Sequence, residues 1–415
     1  MRSYSYLNTA GQILDHYNGN EPFATFLKKF FSQHKKYGST DRKRIGHLCY
    51  CYFRLGKSLP QVPTQERILI GLFLCCTESN EILEQLRPEW NEKFHLVLGK
   101  KLLIINYSLL ITDAFPWKGE LSEGIDYEKF CRSFFTQPDL FLRLRPGYEG
   151  AVKEKISGAK ISFREINSSC LAVPNTTKVE TIIELDKEAI VQDLNSQKIG
   201  NYLKLSIASR SLSGCQLPVA VWDCCAGSGG KSLLLYDLES NIDLTVSDVR
   251  ESILINLRKR FTNAGIKKYK SFVVDLTQAN SPWPILHGSA GTSSRRAYEP
   301  FINTIGGQFD LIICDAPCTG SGTWSRTPEQ LYFFDEKKIQ PYSVLQKKIV
   351  SRVIPNLKPG GVLLYITCSV FKKENEEVVD FIKKQFHLEL LKMQLLKGYD
   401  KRADSMFVSV LRKSL

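Results

Sequence analysis

The sequence predicts an α/β protein built on a doubly wound, mostly parallel sheet, preceded by a small α+β domain and an N-terminal helical domain. Three observations carry that expectation. From about residue 216 onward, short apolar runs alternate with amphipathic stretches. Between about 126 and 215 the texture is one of short β-branched and aromatic segments. Before that, strand signals are scarce and apolar positions recur every three or four residues. At 415 residues the chain exceeds what one hydrophobic core usually organises, so a division into 1–125, 126–215 and 216–415 follows.

In the first segment the run Gln65-Glu66-Arg67-Ile68-Leu69-Ile70-Gly71-Leu72-Phe73-Leu74 typifies the helical period. Lys35-Lys36-Tyr37 and Asp41-Arg42-Lys43-Arg44 set basic side chains around an aromatic one, a composition that suits an RNA backbone with base stacking and equally a solvated helix face. In the second segment Leu140-Phe141-Leu142-Arg143-Leu144 and Ser169-Cys170-Leu171-Ala172-Val173 read as strands and 152–158 as a helix, an RRM-like α+β mixture. In the third, residues 219–222, 244–246, 272–274, 309–313 and 362–366 are near-continuous apolar runs, as strands covered on both faces should be. Residues 280–308 break the rhythm with Pro282, Pro284, Gly288, Gly291, Gly306 and Gly307, so a long loop is expected there, with Arg295 and Arg296 able to touch RNA.

Composition narrows the classes. Hydrophobic residues make up 43% of the chain, yet no stretch reaches the roughly 18 uncharged apolar residues of a membrane span. The amino terminus lacks an apolar run leading to a small-residue cleavage site, so a cytoplasmic location and no membrane partner are expected. Twelve cysteines are spread over the length, several inside apolar runs, and read as reduced core residues. No pair has the two-residue gap of a zinc knuckle, since Cys49 and Cys51 lie too close and Cys314 and Cys318 too far apart; no structural metal is expected. A formal net charge of +13 favours a polyanionic partner, because Lys and Arg on phosphates release condensed counterions.

The first strand of the large sheet leads into Asp223-Cys224-Cys225-Ala226-Gly227-Ser228-Gly229-Gly230-Lys231-Ser232 and then the helix-like Leu233-Leu234-Leu235. Strand, glycine-rich turn and helix form a nucleotide-binding arrangement: glycine lets the backbone approach a ligand, and the helix N–H groups favour negative charge. Spacing separates the chemistries that use it. A Walker A loop would end at Gly230-Lys231-Ser232, but its first glycine falls on Cys225. A dinucleotide fingerprint begun at Gly227 and Gly229 has its third glycine on Ser232. An adenosyl cofactor remains. It needs a carboxylate after the second strand for the ribose hydroxyls, and Asp248 stands there; Asp275, after the third, is placed for the adenine amino group.

Ligands of a doubly wound sheet lie outside the carboxyl ends of its strands. After the fourth and fifth strands the chain carries Asp315-Ala316-Pro317-Cys318-Thr319-Gly320-Ser321-Gly322 and Thr367-Cys368-Ser369, aiming two thiols and a carboxylate at the cofactor pocket. Thiols there have a chemical reason. Carbon 5 of cytosine is too poor a nucleophile to attack a sulfonium methyl, but a thiolate added at carbon 6 makes an enamine with electron density on carbon 5. A carboxyl group hydrogen-bonded at nitrogen 3, as Asp315 could be, makes the ring a better electron acceptor. A second thiol can assist when the carbon 5 proton leaves.

Residues 223–232 and 309–322, the run Lys358-Pro359-Gly360-Gly361-Val362-Leu363-Leu364-Tyr365-Ile366-Thr367-Cys368-Ser369 with Glu374-Asn375-Glu376, and Val191-Gln192-Asp193-Leu194-Asn195-Ser196-Gln197 resemble the RsmB/Nop2/Sun (Fmu) family of RNA 5-methylcytosine methyltransferases, nearest to its bacterial 16S rRNA members. The resemblance covers about 130–385. It implies a Rossmann-like methyltransferase sheet, S-adenosylmethionine as cofactor, Cys368 as nucleophile and Cys318 as the thiol that helps free the product. It further implies that Cys225, Ala226, Gly227, Ser228, Gly229, Gly230, Asp248, Asp275 and Asp315 surround cofactor and base, with Lys231 nearby, and that Arg326 and Pro328 fit a family position. Two features depart from the family: Gly227-Ser228 stands where Ala-Pro is usual, and 280–308 is longer than its members need.

The leading expectation is therefore methylation of a cytosine flipped out of structured RNA, small-subunit rRNA by preference and tRNA as the alternative, by a monomer with no DNA partner. A non-catalytic RNA-binding ribosome-assembly factor is the second class; retention of Cys368 and Asp315 argues against it. A P-loop NTPase is the third, and Cys225 argues against that.

Overall fold

The computed structural model describes residues 2–105, 107, 110–211, 217–278, 287–288 and 309–415, with backbone only at 208–211 and 287–288. Most of the long loop expected over 280–308, Arg295 and Arg296 included, lies outside the described residues.

The chain divides into two compact units. The first takes in the N-terminal residues to Leu121, Ile125–Pro138 and Thr323–Glu336. Its helices include Arg2–His16, Phe23–Gln33, Ser39–Arg54, Thr64–Cys75, Tyr127–Ser133 and Pro328–Phe333. Their apolar stripes bury Ile13, Phe23, Leu48, Phe53, Ile70 and Phe73. An arginine sits inside this unit. Arg54 is 4% exposed, and its guanidinium donates to the carbonyls of Phe134 at 2.5 Å and Ser325 at 3.0 Å, which supplies the partners a buried cation requires. Arg326 and Pro328 belong to this unit.

The second unit holds two sheets. The smaller is antiparallel: β1 (Leu140–Leu144), β2 (Arg164–Asn167), β3 (Cys170–Val173) and β4 (Ala189–Val191) are ordered β2-β3-β1-β4, with the helix Glu149–Gly158 packed through Val152 and Ile156. The larger contains β5 (Val219–Asp223), β6 (Ile242–Asp248), β7 (Lys270–Val273), β8 (His287–Gly288), β9 (Phe309–Asp315), β10 (Leu357–Thr367), β11 (Glu389–Leu396) and β12 (Met406–Arg412). Its order is β11-β12-β10-β9-β5-β6-β7-β8. The five strands expected from apolar runs are β5, β6, β7, β9 and β10, and every pairing among them is parallel. The antiparallel strands β11 and β12 extend one edge.

Alternation along these strands builds two cores. Val221, Val246, Leu311, Ile313, Leu364 and Ile366 face the helices Gly230–Leu238 and Glu251–Asn263 through Leu233, Leu257 and Phe261. Trp222, Ile312, Cys314, Leu363 and Tyr365 face the helices Ile339–Val353 and Glu376–Phe386 through Ile349, Val350, Val378 and Ile382. Both faces are covered, which is why the strands read as unbroken apolar runs. Strand order reverses between β5 and β9, and crevices open at such switch points.

Candidate active site

The loop after β5 is shaped by two left-handed glycines, Gly227 at φ +53° and Gly229 at φ +84°. A side-chain carbon at Gly229 would come within 2.7 Å of Phe261, whereas at Gly227 and Gly230 it would meet open space. Those two positions therefore leave a cradle over the start of the helix Gly230–Leu238. The loop is tied down from behind. Gly227 N–H donates to Asp248 Oδ2 at 3.0 Å, and Arg260 donates to the Ser228 carbonyl at 2.9 Å and hydroxyl at 3.0 Å.

The acids fall where parallel strands end. Asp248 closes β6, is 6% exposed, and also accepts from the Arg250 backbone N–H at 3.0 Å. Asp275 lies two residues beyond β7 and caps its own turn, accepting from Thr277 N–H and hydroxyl at 2.9 and 2.6 Å, and these bonds hold its carboxyl below the usual range. Asp223, at the end of β5, accepts from the Ser232 hydroxyl at 2.6 Å, while its Oδ1 has no partner among the described residues. Burial pushes it up to about 7.

Across the switch point, Lys231 is buried and donates to Asp315 Oδ2 at 2.9 Å and to Ser196 Oγ at 3.0 Å. The expectation placed Lys231 only near the pocket; the geometry makes it the ion-pair partner of Asp315, so the carboxyl group is not an isolated acid. Ser196 belongs to the Val191-to-Gln197 run. That run braces the site from the side: Gln192 Nε2 reaches Ser196 Oγ at 3.1 Å and the Gly230 carbonyl at 3.3 Å.

The two thiols meet. β9 and β10 are adjacent and parallel, with Asp315 opposite Ile366, so the turns that follow them lie side by side. Cys318 Sγ and Cys368 Sγ are 3.3 Å apart. Gly322 closes the first turn against the second, its N–H donating to the Cys368 carbonyl at 2.8 Å and its carbonyl accepting from Ser405 N–H at 2.9 Å. No side chain fits there, since a carbon on Gly322 would lie 2.1 Å from the Ser405 carbonyl oxygen. The hydrogen bond to Cys368, with burial added, pushes the Cys318 thiol well above its ordinary value.

Sequence reasoning gave no role to the group that holds both turns. Glu374 is fully buried and accepts from Thr319 N–H (2.8 Å), Thr319 Oγ1 (2.5 Å), Ser369 Oγ (2.7 Å) and Gln346 Nε2 (3.1 Å). Burial raises its carboxyl despite these donors. Thr319 follows Cys318 and Ser369 follows Cys368, so one carboxyl group fixes the neighbours of both sulfurs. Asn375 does similar work, donating to the Ser369 carbonyl at 3.0 Å and to Ser122 Oγ at 2.9 Å. The Glu374-Asn375-Glu376 motif was the available signal.

A parallel sheet with its glycine loop and acids at the switch point, continued beyond β10 by the antiparallel β12 and then β11, is the Rossmann-like methyltransferase fold. The family model described as 16S rRNA methyltransferase RsmB/F matches residues 218–407. Ribosomal RNA small subunit methyltransferase B of Salmonella newport (strain SL254) is 28% identical over 181 residues, 42% of this chain and 37% of that protein. The protein of the same name from Shewanella oneidensis is 30% identical over 159 residues, 38% of this chain and 32% of its own. The chain thus spans about a third of the length of these curated relatives. Among solved structures, PH0851 is similar over 97% of both chains with a TM-score of 0.66 and 19% identity. A methyltransferase homologue from Pyrococcus horikoshii covers 76% of this chain and 98% of its own, with a TM-score of 0.54 and 19% identity. At such identities these two likenesses establish the fold.

Proposed function

We propose that the protein transfers a methyl group from S-adenosylmethionine to carbon 5 of a cytosine in structured RNA, with small-subunit rRNA as the preferred substrate. The observation that carries this reading is the 3.3 Å approach of Cys318 and Cys368 beside the loop and acids that suit an adenosyl group. The match to relatives named for small-subunit rRNA favours that substrate over tRNA. The thiol pair and the Lys231–Asp315 pair favour an enzyme over a non-catalytic assembly factor, which has no need of either. The three-part organisation 1–125, 126–215 and 216–415 is retained as part of the proposal, with the last part catalytic.

The cradle at Gly227 and Gly230 admits the cofactor's polar chain, and Asp248 and Asp275 offer carboxylate oxygens to its ribose and adenine. When bound, the cofactor supplies an electrophilic methyl carbon. Asp315, with Lys231 behind it, engages nitrogen 3 of the cytosine and delivers hydrogen-bond or proton assistance there. Cys368, as thiolate, forms a bond from sulfur to carbon 6, and the displaced π electrons raise the electron density at carbon 5. Once that sulfur carries carbon, it no longer holds the hydrogen bond that kept the Cys318 proton in place. Cys318 can then release this proton to solvent and, once carbon 5 carries the methyl group beside its hydrogen, accept that hydrogen as a proton; the C–H electron pair re-forms the bond between carbons 5 and 6 as double, and the pair of the carbon 6–sulfur bond leaves with Cys368 as thiolate.

No helix among the described residues is long and apolar enough to cross a membrane. A cavity of about 520 Å³ in the second unit is lined by Lys198, Lys392, Lys397 and Lys401 against one acid, Asp400, with Tyr202 beside them, a net-positive surface suited to phosphates. The test is transfer of labelled methyl from S-adenosylmethionine to small-subunit rRNA and tRNA transcripts, followed by nucleoside analysis. Label in 5-methylcytidine is expected, rRNA exceeding tRNA. No label, or label in another nucleoside, contradicts the reading.

A further inference from the structure

Cys224, Cys225 and Cys314 place their sulfurs within 4.8 Å of one another. They come from different parts of the sheet: Cys314 from β9, Cys224 and Cys225 from the turn that ends β5. In a continued strand two consecutive side chains would point to opposite faces. The turn instead brings both sulfurs to Cys314, and the Cys224 N–H bonds to the Ile313 carbonyl at 2.9 Å, holding that turn against β9. Cys224 and Cys314 are buried among Trp222, Phe272 and Tyr365, whereas Cys225 is only half-buried and gives the cluster a way in.

We propose that these three cysteines form a binding site for one soft, thiophilic cation of the zinc or copper(I) class, at the base of the loop after β5. Thiolates select such ions over hard cations. Metal–sulfur bonds of about 2.3 Å in a trigonal set place the sulfurs about 4 Å apart, so the cluster needs to contract by less than about 1 Å. Three ligands leave the position toward Cys225 for a water, as in an open zinc site. On binding, three S–H bonds break, three sulfur–metal bonds form, and three protons pass to the buffer. Cysteine spacing could not disclose this set, because its third member lies 89 residues beyond Cys225 (314 − 225).

The site is tested with Cd(II) as probe on the full chain, reduced and carrying Cys51→Ser, Cys318→Ala and Cys368→Ala, so that the thiol pairs Cys51 with Cys75 and Cys318 with Cys368 are removed. A thiolate-to-cadmium absorption band saturating at one equivalent is expected, with three sulfur neighbours by X-ray absorption. Adding Cys225→Ser and Cys314→Ser should abolish the band, and with it the rise in Tm that Cd(II) gives the parent. A band that survives those substitutions, a coordination number of one or two sulfurs, or no band at all overturns the proposal. The coordination number is read on protein with all three cysteines intact, so it stands whether or not the serine variant folds.

Discussion

Asp223 shows how one buried carboxyl group couples the site to stability. Its folded-state value of about 7 lies above the ordinary 3.8, so between those limits the native state binds the extra proton. The stabilising contribution of protonated Asp223 is present in full below about pH 4 and is lost as pH rises through about 7. Thermal unfolding of the wild type and Asp223→Asn across pH 4 to 8 should therefore differ in slope, the variant losing less Tm toward neutral pH. Parallel profiles would mean that the carboxyl group is ionised throughout. In the proposed chemistry the roles of Cys368 and Cys318 differ: one adds to carbon, the other holds and then exchanges a proton.

Among elements, the paired turns after β9 and β10 carry Cys318 and Cys368, and Glu374 is their shared anchor. It touches neither thiol, so it is a positioning residue. Glu374→Ala strands four hydrogen-bond donations and should destabilise the fold by roughly 2 kcal/mol or more. With the thiols released from register, kcat should fall at least about tenfold while cofactor affinity is kept, because no contact of Glu374 reaches the loop after β5. Equal losses in both would show a general structural collapse instead, and urea denaturation beside cofactor titration separates the two.

The same elements show what was legible in the sequence. β5, β6, β7, β9 and β10 could be read because both faces are covered, which writes each strand as an apolar run. β11 could not. Most of its residues are exposed or half-buried, and Glu-Leu-Leu-Lys-Met-Gln-Leu-Leu has an apolar pattern that a helix would share. Cys318, Cys368 and Asp315 were legible as strand-end residues of known spacing. The Glu374 anchor and the three-cysteine cluster were not, since each draws its members from distant segments that only the folded sheet brings together.

For the whole molecule, the charge of +13 is the property that bears on partner choice. RNA affinity should fall with salt, and replacing Lys392 and Lys397 by Gln should reduce the slope of log K against log salt by about 1 for each phosphate contact removed. An unchanged slope would locate the RNA path elsewhere. The exposed pair Lys35 and Lys36 is the comparison set in the helical unit; there the Tyr37 hydroxyl is already bonded to Thr9 and Lys36 lies over the Tyr37 ring at 5.1 Å.

The division of labour between the two sulfurs is tested most directly by incubating Cys318→Ala with RNA and S-adenosylmethionine and mapping any cross-linked peptide by mass spectrometry. A methylated cytosine covalently attached to Cys368 should accumulate, and Cys368→Ala should give neither adduct nor transfer. Turnover by Cys368→Ala at near wild-type rate, or an adduct on another residue, would contradict it.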